Sequence, residues 1–175
     1  MMRAHFFLLP FASLAIVSPA DAVVYLSAEQ AQKLMFPDAT FTADFRMLTD
    51  AQAAAVEKAA GVNVLNRELQ AWRVSTGGWF IVDQVIGKHE FIPFAVALDA
   101  EGAVKSIEIL EYREAYGGQV RNPVWRAQFQ GKQYGAPLTL RKDIQNISGA
   151  SLSSRHITDG VKRILATHAI ALAQR

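Results

Sequence analysis

A series of short apolar segments between residues 69 and 114 constrains the fold of this chain more than any other feature. Apolar and β-branched residues dominate there, and glycine-containing breaks interrupt them at residues 76–78, 87–88 and 99–102. Breaks of this kind are typical of turns between strands that follow one another and run antiparallel. The segment predicts an antiparallel meander of about four strands. Within it, Pro93 indicates an edge strand or a bulge.

Helical patterns flank the predicted strands. Ser27 and Gln30 have the spacing of a capping box, which predicts a first helix over residues 28–35. Thr49 or Asp50 begins a second predicted helix. A longer C-terminal helix follows a Ser-Gly-Ala-Ser turn. These elements together predict an α+β fold, in which an antiparallel meander has flanking helices and the C-terminal helix follows the SGAS turn.

The SGAS turn precedes an amphipathic helix and carries several hydroxyl groups. Backbone amides at the start of a helix lack intrahelical partners and lie at the positive end of its dipole, so they stabilise an anion. Gly149 and Ala150 have little side chain to keep a phosphate away from the backbone. The hydroxyls that could cap the helix or accept a phosphate belong to Ser148, Ser151, Ser153 and Ser154. Serine and glycine before a helix also form ordinary caps, so the chemistry alone leaves both interpretations open.

The SGAS tetrapeptide, residues 148–151, resembles the SGAT-type flavinylation motif of the FMN-binding domain family. Members include the covalent-FMN subunits of sodium-pumping NADH:quinone oxidoreductase and of the Rnf complex. The resemblance implies that Ser151, at a position usually occupied by threonine, carries FMN through a phosphoester that a flavin transferase installs. It further implies that the cofactor is bound by the whole turn, which comprises Ser148, Gly149, Ala150, Ser151, Ser153 and Ser154.

A second segment, YREAYGGQV at residues 112–120, resembles the glutamate-containing, glycine-rich loop that follows a strand in the same family. That loop approaches the isoalloxazine ring of the flavin in the family. The resemblance therefore implies that Glu114, Tyr116, Gly117 and Gly118 contact the cofactor. The alternative is a solvated turn at the end of a strand. The order of the helices, strands, loop and turn also agrees with the family.

Two positions depart from the family pattern. Ser151 stands in place of the usual threonine, and a primary hydroxyl is at least as accessible as a secondary one. Gln145 stands where many family motifs have aspartate, three residues before the first serine of the tetrapeptide. Gln145 favours an alternative of a different class, a cofactor-free periplasmic interaction domain in which SGAS is only a helix cap.

The N-terminus has the pattern of a secretory signal peptide. Arg3 precedes an apolar run over residues 6–17, and an Ala-Asp-Ala sequence ending at Ala22 follows. The apolar run is shorter than the ~20 residues of a membrane-spanning helix. We therefore expect a signal peptide at residues 1–22, an FMN-binding domain at residues 23–175, and a periplasmic location.

Composition excludes several functions. The chain has no cysteine, which excludes disulfides, iron–sulfur clusters and thiol catalysis. A net charge of +2, with the arginines dispersed, does not favour nucleic-acid binding. The histidines are scattered, and we predict no metal site. Walker-type loops, dinucleotide fingerprints and nucleophile elbows are missing from the sequence, so nucleotide hydrolysis, NAD binding and serine hydrolysis have no support.

The sequence thus predicts a periplasmic flavoprotein that transfers electrons between redox partners and has no catalytic residues of its own. Its expected partners are a flavin transferase for maturation and a redox partner, for which a membrane-bound protein is one option. Besides the cofactor-free domain, a flavin-dependent reductase acting on a small substrate is the remaining alternative.

Overall fold

An antiparallel sheet forms the centre of the fold, as the glycine-containing breaks predict. The computed structural model describes residues 23–173, and its strands are β1 (Val23–Val24), β2 (Phe41–Ala43), β3 (Arg46–Met47), β4 (Glu68–Val74), β5 (Trp79–Ile86), β6 (Phe91–Leu98), β7 (Val104–Ile109) and β8 (Glu111–Tyr112). The main sheet has the order β2–β4–β5–β6–β7, and β3 also pairs with β4. Strands β1 and β8 form a separate antiparallel pair.

Four α-helices accompany the strands within residues 23–173. They are α1 (Ala28–Met35), α2 (Asp50–Ala60), α3 (Pro123–Arg126) and α4 (Ser151–Thr167), and a π-helical turn over His168–Leu172 continues α4. Ser27 forms the predicted capping box of α1, and Thr49 forms a capping box at the start of α2. The predicted α+β class, with an antiparallel meander and a C-terminal helix after the SGAS turn, is confirmed.

The helices cover both faces of the main sheet. Alternate residues of a strand point to opposite faces, so Phe80 packs in the cluster formed with α1, whereas Trp79 and Ile81 pack in the cluster formed with α4. Helix α2 contacts the outer side of α4 through Val56 and Ala60. The α4 cluster is the larger of the two, so the sheet and the C-terminal helix share the main core.

Two contacts set the position of α4 on the sheet. Gly160 lies against the strands, where a Cβ atom would come within 2.7 Å of both Phe94 Cζ and Val85 Cγ1, so the helix approaches the sheet closely at this point. Three residues later, Arg163 donates to Asp83 Oδ2 at 2.8 Å and to the carbonyl of Gln84 at 2.9 Å. These contacts hold the middle of α4 against the second half of β5.

The expectation that Pro93 marks an edge strand or a bulge is wrong. Pro93 lies in β6, which pairs with β5 on one side and β7 on the other. Its carbonyl accepts the amide of Leu110 at 2.9 Å, and the carbonyl of Leu110 accepts the amides of Tyr25 and Leu26 at 2.9 and 3.2 Å. The N-terminal segment therefore satisfies a carbonyl that the proline, which has no N–H group, leaves without a donor.

The predicted signal peptide, residues 1–22, lies outside the described residues. Within residues 23–173, none of the helices combines the length and the apolar character that a membrane span requires.

Candidate functional site

Helix α4 begins differently from the other α-helices. Ala150 occupies its N-cap position, and no side chain accepts a hydrogen bond from its first-turn amides, whereas Ser27, Thr49 and Asn122 cap the three preceding helices. The first turn of α4 also contains no acidic residue. The amides that begin at Ser151 and the positive end of the helix dipole are therefore open to an anion.

The backbone just before α4 leaves free space beside these amides. Gly149 has a φ of +81°, and the position that a Cβ atom would occupy has no other atom within 4 Å. Gly149 and Ser148 are exposed, whereas Ala150 is buried. The amide of Ala150 donates to the carbonyl of Ile147 at 3.0 Å, which closes the turn. A ligand at the helix terminus would meet backbone and serine hydroxyls with little steric obstruction.

Ser151, the predicted attachment point, is exposed. Its Oγ accepts a hydrogen bond from Asn146 Nδ2 at 2.8 Å. The other amide atom of that side chain, Asn146 Oδ1, is buried and has no hydrogen-bond partner. The sequence analysis did not single out Asn146, because no spacing rule connects it to Ser151. The contact exists only because the intervening turn folds back.

The next two serines of the predicted site lie inside the protein. Ser153 is 5% exposed and its Oγ lies 2.8 Å from the phenol oxygen of Tyr112. Ser154 is fully buried, and its Oγ has no hydrogen-bond partner. Solvent reaches only the hydroxyls of Ser148 and Ser151 among the four predicted serines.

The glycine-rich loop contacts the first turn of α4. Tyr112 Oη donates to the carbonyl of Tyr116 at 2.6 Å, so its single proton is used and Ser153 donates to it. Burial raises the pKa of Tyr112. Gly117 has a φ of +100°, and a Cβ atom there would collide with Tyr112 Oη and lie 2.6 Å from Ser153 Oγ. The structure therefore brings together the two segments that carried the family resemblance.

Glu114 faces a different neighbour. Its Oε1 accepts the backbone amides of His89 at 2.6 Å and of Glu90 at 3.0 Å, both in the turn between β5 and β6. Partial burial acts to raise the pKa of Glu114, but the amides of Glu90, His89 and Lys88 outweigh it and bring the pKa below the usual value. The carboxylate thus fixes the β5–β6 turn beside the glycine-rich loop.

The two other predicted residues of this loop differ in exposure. The side chain of Tyr116 is 86% exposed, so only its carbonyl takes part in the contact with Tyr112. Gly118 is half-buried and begins the 3₁₀ turn Gly118–Arg121. Gly117 thus packs against Ser153 in the first turn of α4, and Tyr116 presents a ring to solvent.

A cleft of about 400 Å³ lies beside α4. It is lined by Val62, Asn63, Leu65, Val85, Ile86, His156, Asp159 and Arg163. His156 Nδ1 contacts the carbonyl of Ile86, and burial raises the pKa of Asp159. His156 lies five residues after Ser151, which is about 7.5 Å along the helix axis. The cleft is therefore within a short distance of the helix terminus.

An exposed cation lies in the first turns of α4. Arg155 follows Ser151 by four residues and so lies on the same face of α4. Its position could have been inferred from helical spacing, although the sequence analysis did not use it. Within residues 23–173, no group of three or more histidine, aspartate or glutamate side chains is arranged to hold a metal ion.

The geometry defines an α+β domain with an anion-accepting helix terminus, an exposed serine hydroxyl and an adjoining glycine-rich loop. The family model of the FMN-binding domain matches residues 87–166, from the β5–β6 turn into α4. This match confirms the resemblance to the FMN-binding domain family and supports FMN as the cofactor. A search of curated proteins gives no match to this chain.

Proposed function

We propose that this protein is an exported flavoprotein that carries FMN as a phosphoester of Ser151 and transfers electrons between redox partners. The observation that carries the proposal is the exposed Ser151 hydroxyl at a helix terminus without a side-chain cap, inside the segment that matches the FMN-binding domain. The bound flavin supplies the redox chemistry, and the protein supplies its position and electrostatic surroundings.

The residues at the terminus fit a phosphate group. Its oxygens would accept hydrogen bonds from the open first-turn amides of α4, and Gly149 leaves room for these oxygens beside the backbone. Arg155 adds a positive charge on the same helix face. The first turn holds no acidic side chain that would repel the phosphate. These features all favour an anionic phosphodiester at this place over a neutral ligand.

Burial distinguishes Ser151 and Ser148 from the two other hydroxyls of the predicted site. Ser153 and Ser154 are nearly or fully inaccessible to solvent, so a transferase would have to unfold the first turn of α4 to reach them. Ser153 contributes its backbone amide, whereas the amide of Ser154 already donates to the carbonyl of Ala150 at 2.9 Å. Ser148 is the remaining exposed hydroxyl, which makes it the proper comparison in a mutational test.

The glycine-rich loop supports the same site from the side. Tyr112 joins it to α4 through Ser153, and Glu114 holds the neighbouring β5–β6 turn through two backbone amides. We expect this part of the protein to set the surroundings of the flavin ring. Hydrogen bonds and charge near a flavin determine which of its redox states is favoured.

Export follows from the pattern of residues 1–22, which predicts a signal peptide and a periplasmic location. A covalent bond retains the cofactor where free flavin is dilute and a dissociable cofactor would be lost. The partners in this proposal are a flavin transferase, which forms the ester, and a redox partner, for which a protein at the membrane is one option.

The proposal is tested by expressing the chain with a flavin transferase and comparing it with the Ser151→Ala and Ser148→Ala variants. The parent and the Ser148 variant should fluoresce on a denaturing gel and gain the mass of FMN less water. The Ser151 variant should do neither. Retained fluorescence in the Ser151 variant, or a colourless parent, would overturn the covalent assignment.

A flavin-dependent reductase is the second candidate, because the cleft beside α4 contains His156 and Asp159, two groups that could exchange protons with a small substrate. Steady-state reduction assays on the flavinylated protein distinguish the two functions, since a carrier shows no selectivity among small acceptors. The match to the FMN-binding domain favours either function over a cofactor-free interaction domain.

A further inference from the structure

We propose that Asn146 is the positioning residue that holds the Ser151 hydroxyl ready for flavinylation in this chain. The inference rests on the proposed function and adds to it a residue that lies outside the SGAS tetrapeptide. It is carried by the hydrogen bond from Asn146 Nδ2 to Ser151 Oγ, which has a length of 2.8 Å.

The position of Asn146 is set by tertiary contacts of the residue before it. The amide of Gln145 donates to Gln128 Oε1 at 2.7 Å, and the carbonyl of Gln145 accepts the indole N–H of Trp125 at 2.7 Å. Trp125 is buried in the main core. The backbone that leads into Asn146 is therefore anchored to α3 and to the turn that follows it. This fixes the position of the Asn146 side-chain amide beside Ser151.

The bond to Asn146 limits the conformations of the acceptor. An exposed serine samples three rotamers, and a hydrogen bond to its oxygen selects one of them. The hydroxyl has one proton and two lone pairs. When Asn146 Nδ2 donates to one lone pair, the second lone pair remains free to attack phosphorus, and the proton remains free to leave. The Oδ1 atom of Asn146 is buried without a partner, which costs free energy that an ordinary surface residue does not lose.

The reaction requires a nucleophile in one orientation. Ser151 Oγ forms a bond to the FMN phosphorus of a flavin adenine dinucleotide, the phosphoanhydride bond breaks, and AMP leaves with the bonding electron pair. The hydroxyl proton passes to a base on the transferase, and no group is oxidised or reduced. A neutral amide suits this step, because a carboxylate in its place would repel the incoming phosphate.

The contact belongs to Asn146 and not to its neighbour. Gln145 is exposed and stands where many family motifs have aspartate, and its hydrogen bonds described above run through its backbone. Asn146 is the residue whose side chain reaches the acceptor. This arrangement provides a way for the chain to orient Ser151 without an acidic residue at position 145.

The test measures initial rates of flavinylation by a purified flavin transferase with flavin adenine dinucleotide, at varied concentrations of this protein. Asn146→Asp keeps the shape of the side chain but removes the donor, and Asn146→Ala removes the side chain. Asn146→Ala should lower kcat about tenfold, the loss expected for one hydrogen bond, and Asn146→Asp should lower it by at least as much because its carboxylate also repels the phosphate, while KM for the protein changes by less than about twofold. Asn66→Asp makes the same chemical change at an exposed asparagine far from α4 in sequence and should leave both parameters unchanged.

Each outcome has a defined meaning. An Asn146→Asp variant labelled at the parental rate overturns the inference, and so does a raised KM with unchanged kcat, which would indicate a docking role. Thermal unfolding shows whether each variant is folded at the assay temperature. If the Ala variant is unfolded there, the rate of the isosteric Asp variant decides the test. If the parent takes no flavin, or if Ser151→Ala still does, the proposed function itself fails. If the parent is labelled and the Ser151→Ala variant is not, the rates of the Asn146 variants test the role of Asn146 alone.

Discussion

The phenol oxygen of Tyr112 and the hydroxyl oxygen of Ser153 lie 2.8 Å apart, and their hydrogen bond joins the glycine-rich loop to the first turn of α4. Both side chains are buried, so the bond forms away from competing water. This contact connects the glycine-rich loop to the helix that follows the SGAS turn, the two segments that resemble the FMN-binding domain family.

Removing either partner should weaken the domain. Tyr112→Phe and Ser153→Ala should each lower the free energy of unfolding by about 1–2 kcal/mol, because each leaves the other hydroxyl buried without that partner. Urea unfolding of the single and double variants forms a double-mutant cycle. We expect the double variant to lose less than the sum of the two, and strict additivity would show that the two groups do not interact.

Gly117 should tolerate a methyl group far less well than Gly149. Both have positive φ angles, +100° and +81°, so alanine strains the backbone at either position by about 1 kcal/mol. At Gly117 the new Cβ atom also meets Tyr112 and Ser153, which should raise the total loss to more than about 2 kcal/mol. Denaturant unfolding of the two alanine variants measures the difference, and equal losses would contradict the predicted collision.

Two neighbouring serines should respond in opposite directions to alanine. Ser154 Oγ is buried without a partner, so Ser154→Ala removes an unsatisfied group and should leave stability unchanged or raise it by up to about 1 kcal/mol. Ser153→Ala removes a hydrogen bond and should be destabilising. Thermal unfolding of both variants in the same buffer gives the comparison. A clear loss in the Ser154 variant would mean that its hydroxyl has a partner in the folded protein.

Glu114 should stabilise the folded protein only while its carboxyl group is charged, so acid should remove this stabilisation. Its folded-state pKa lies below the usual value of 4.5, because backbone amides of the β5–β6 turn bind the charged form more than burial disfavours it. The stabilisation is therefore complete above pH 4.5 and is lost as the pH falls through the lower folded-state pKa. Unfolding free energies of the parent and Glu114→Gln, measured from pH 7 down to acid, should converge at the acid end. A difference independent of pH would contradict the assignment.

The ion pair between Arg163 and Asp83 should matter more than the one between Arg67 and Asp50. The Arg163 side chain is 7% exposed, so Asp83→Ala leaves a buried charge and should cost about 3–5 kcal/mol. The Arg67 and Asp50 side chains are 52% and 86% exposed, and Arg67→Ala should cost less than about 1 kcal/mol. Denaturant unfolding measures both, and similar losses would show that Arg163 finds other partners.

Features that depend on neighbours in sequence could be predicted without the structure. The capping box of Ser27 and Gln30, the helix beginning after Thr49 and the turns of the meander each rest on residues a few positions apart. The order of the glycine-rich loop and the SGAS turn indicated the family, and the family model confirms it over residues 87–166. The local pattern did not anticipate Pro93 in a central strand, because the carbonyl of Leu110 is satisfied by a distant segment.

The sequence by itself determined the class of fold, the serine-bearing turn and the resemblance to the FMN-binding domain family, because periodicity and short motifs express interactions between nearby residues. Only the tertiary structure decided which hydroxyls are exposed and what each side chain of the site contacts. Ser153 contacts Tyr112, which lies 41 positions earlier in the sequence, and Glu114 contacts His89, which lies 25 positions earlier. Asn146 reaches Ser151 because Trp125 and Gln128 hold the preceding backbone in place. Such contacts arise when the sheet and helices pack, and no local pattern encodes them.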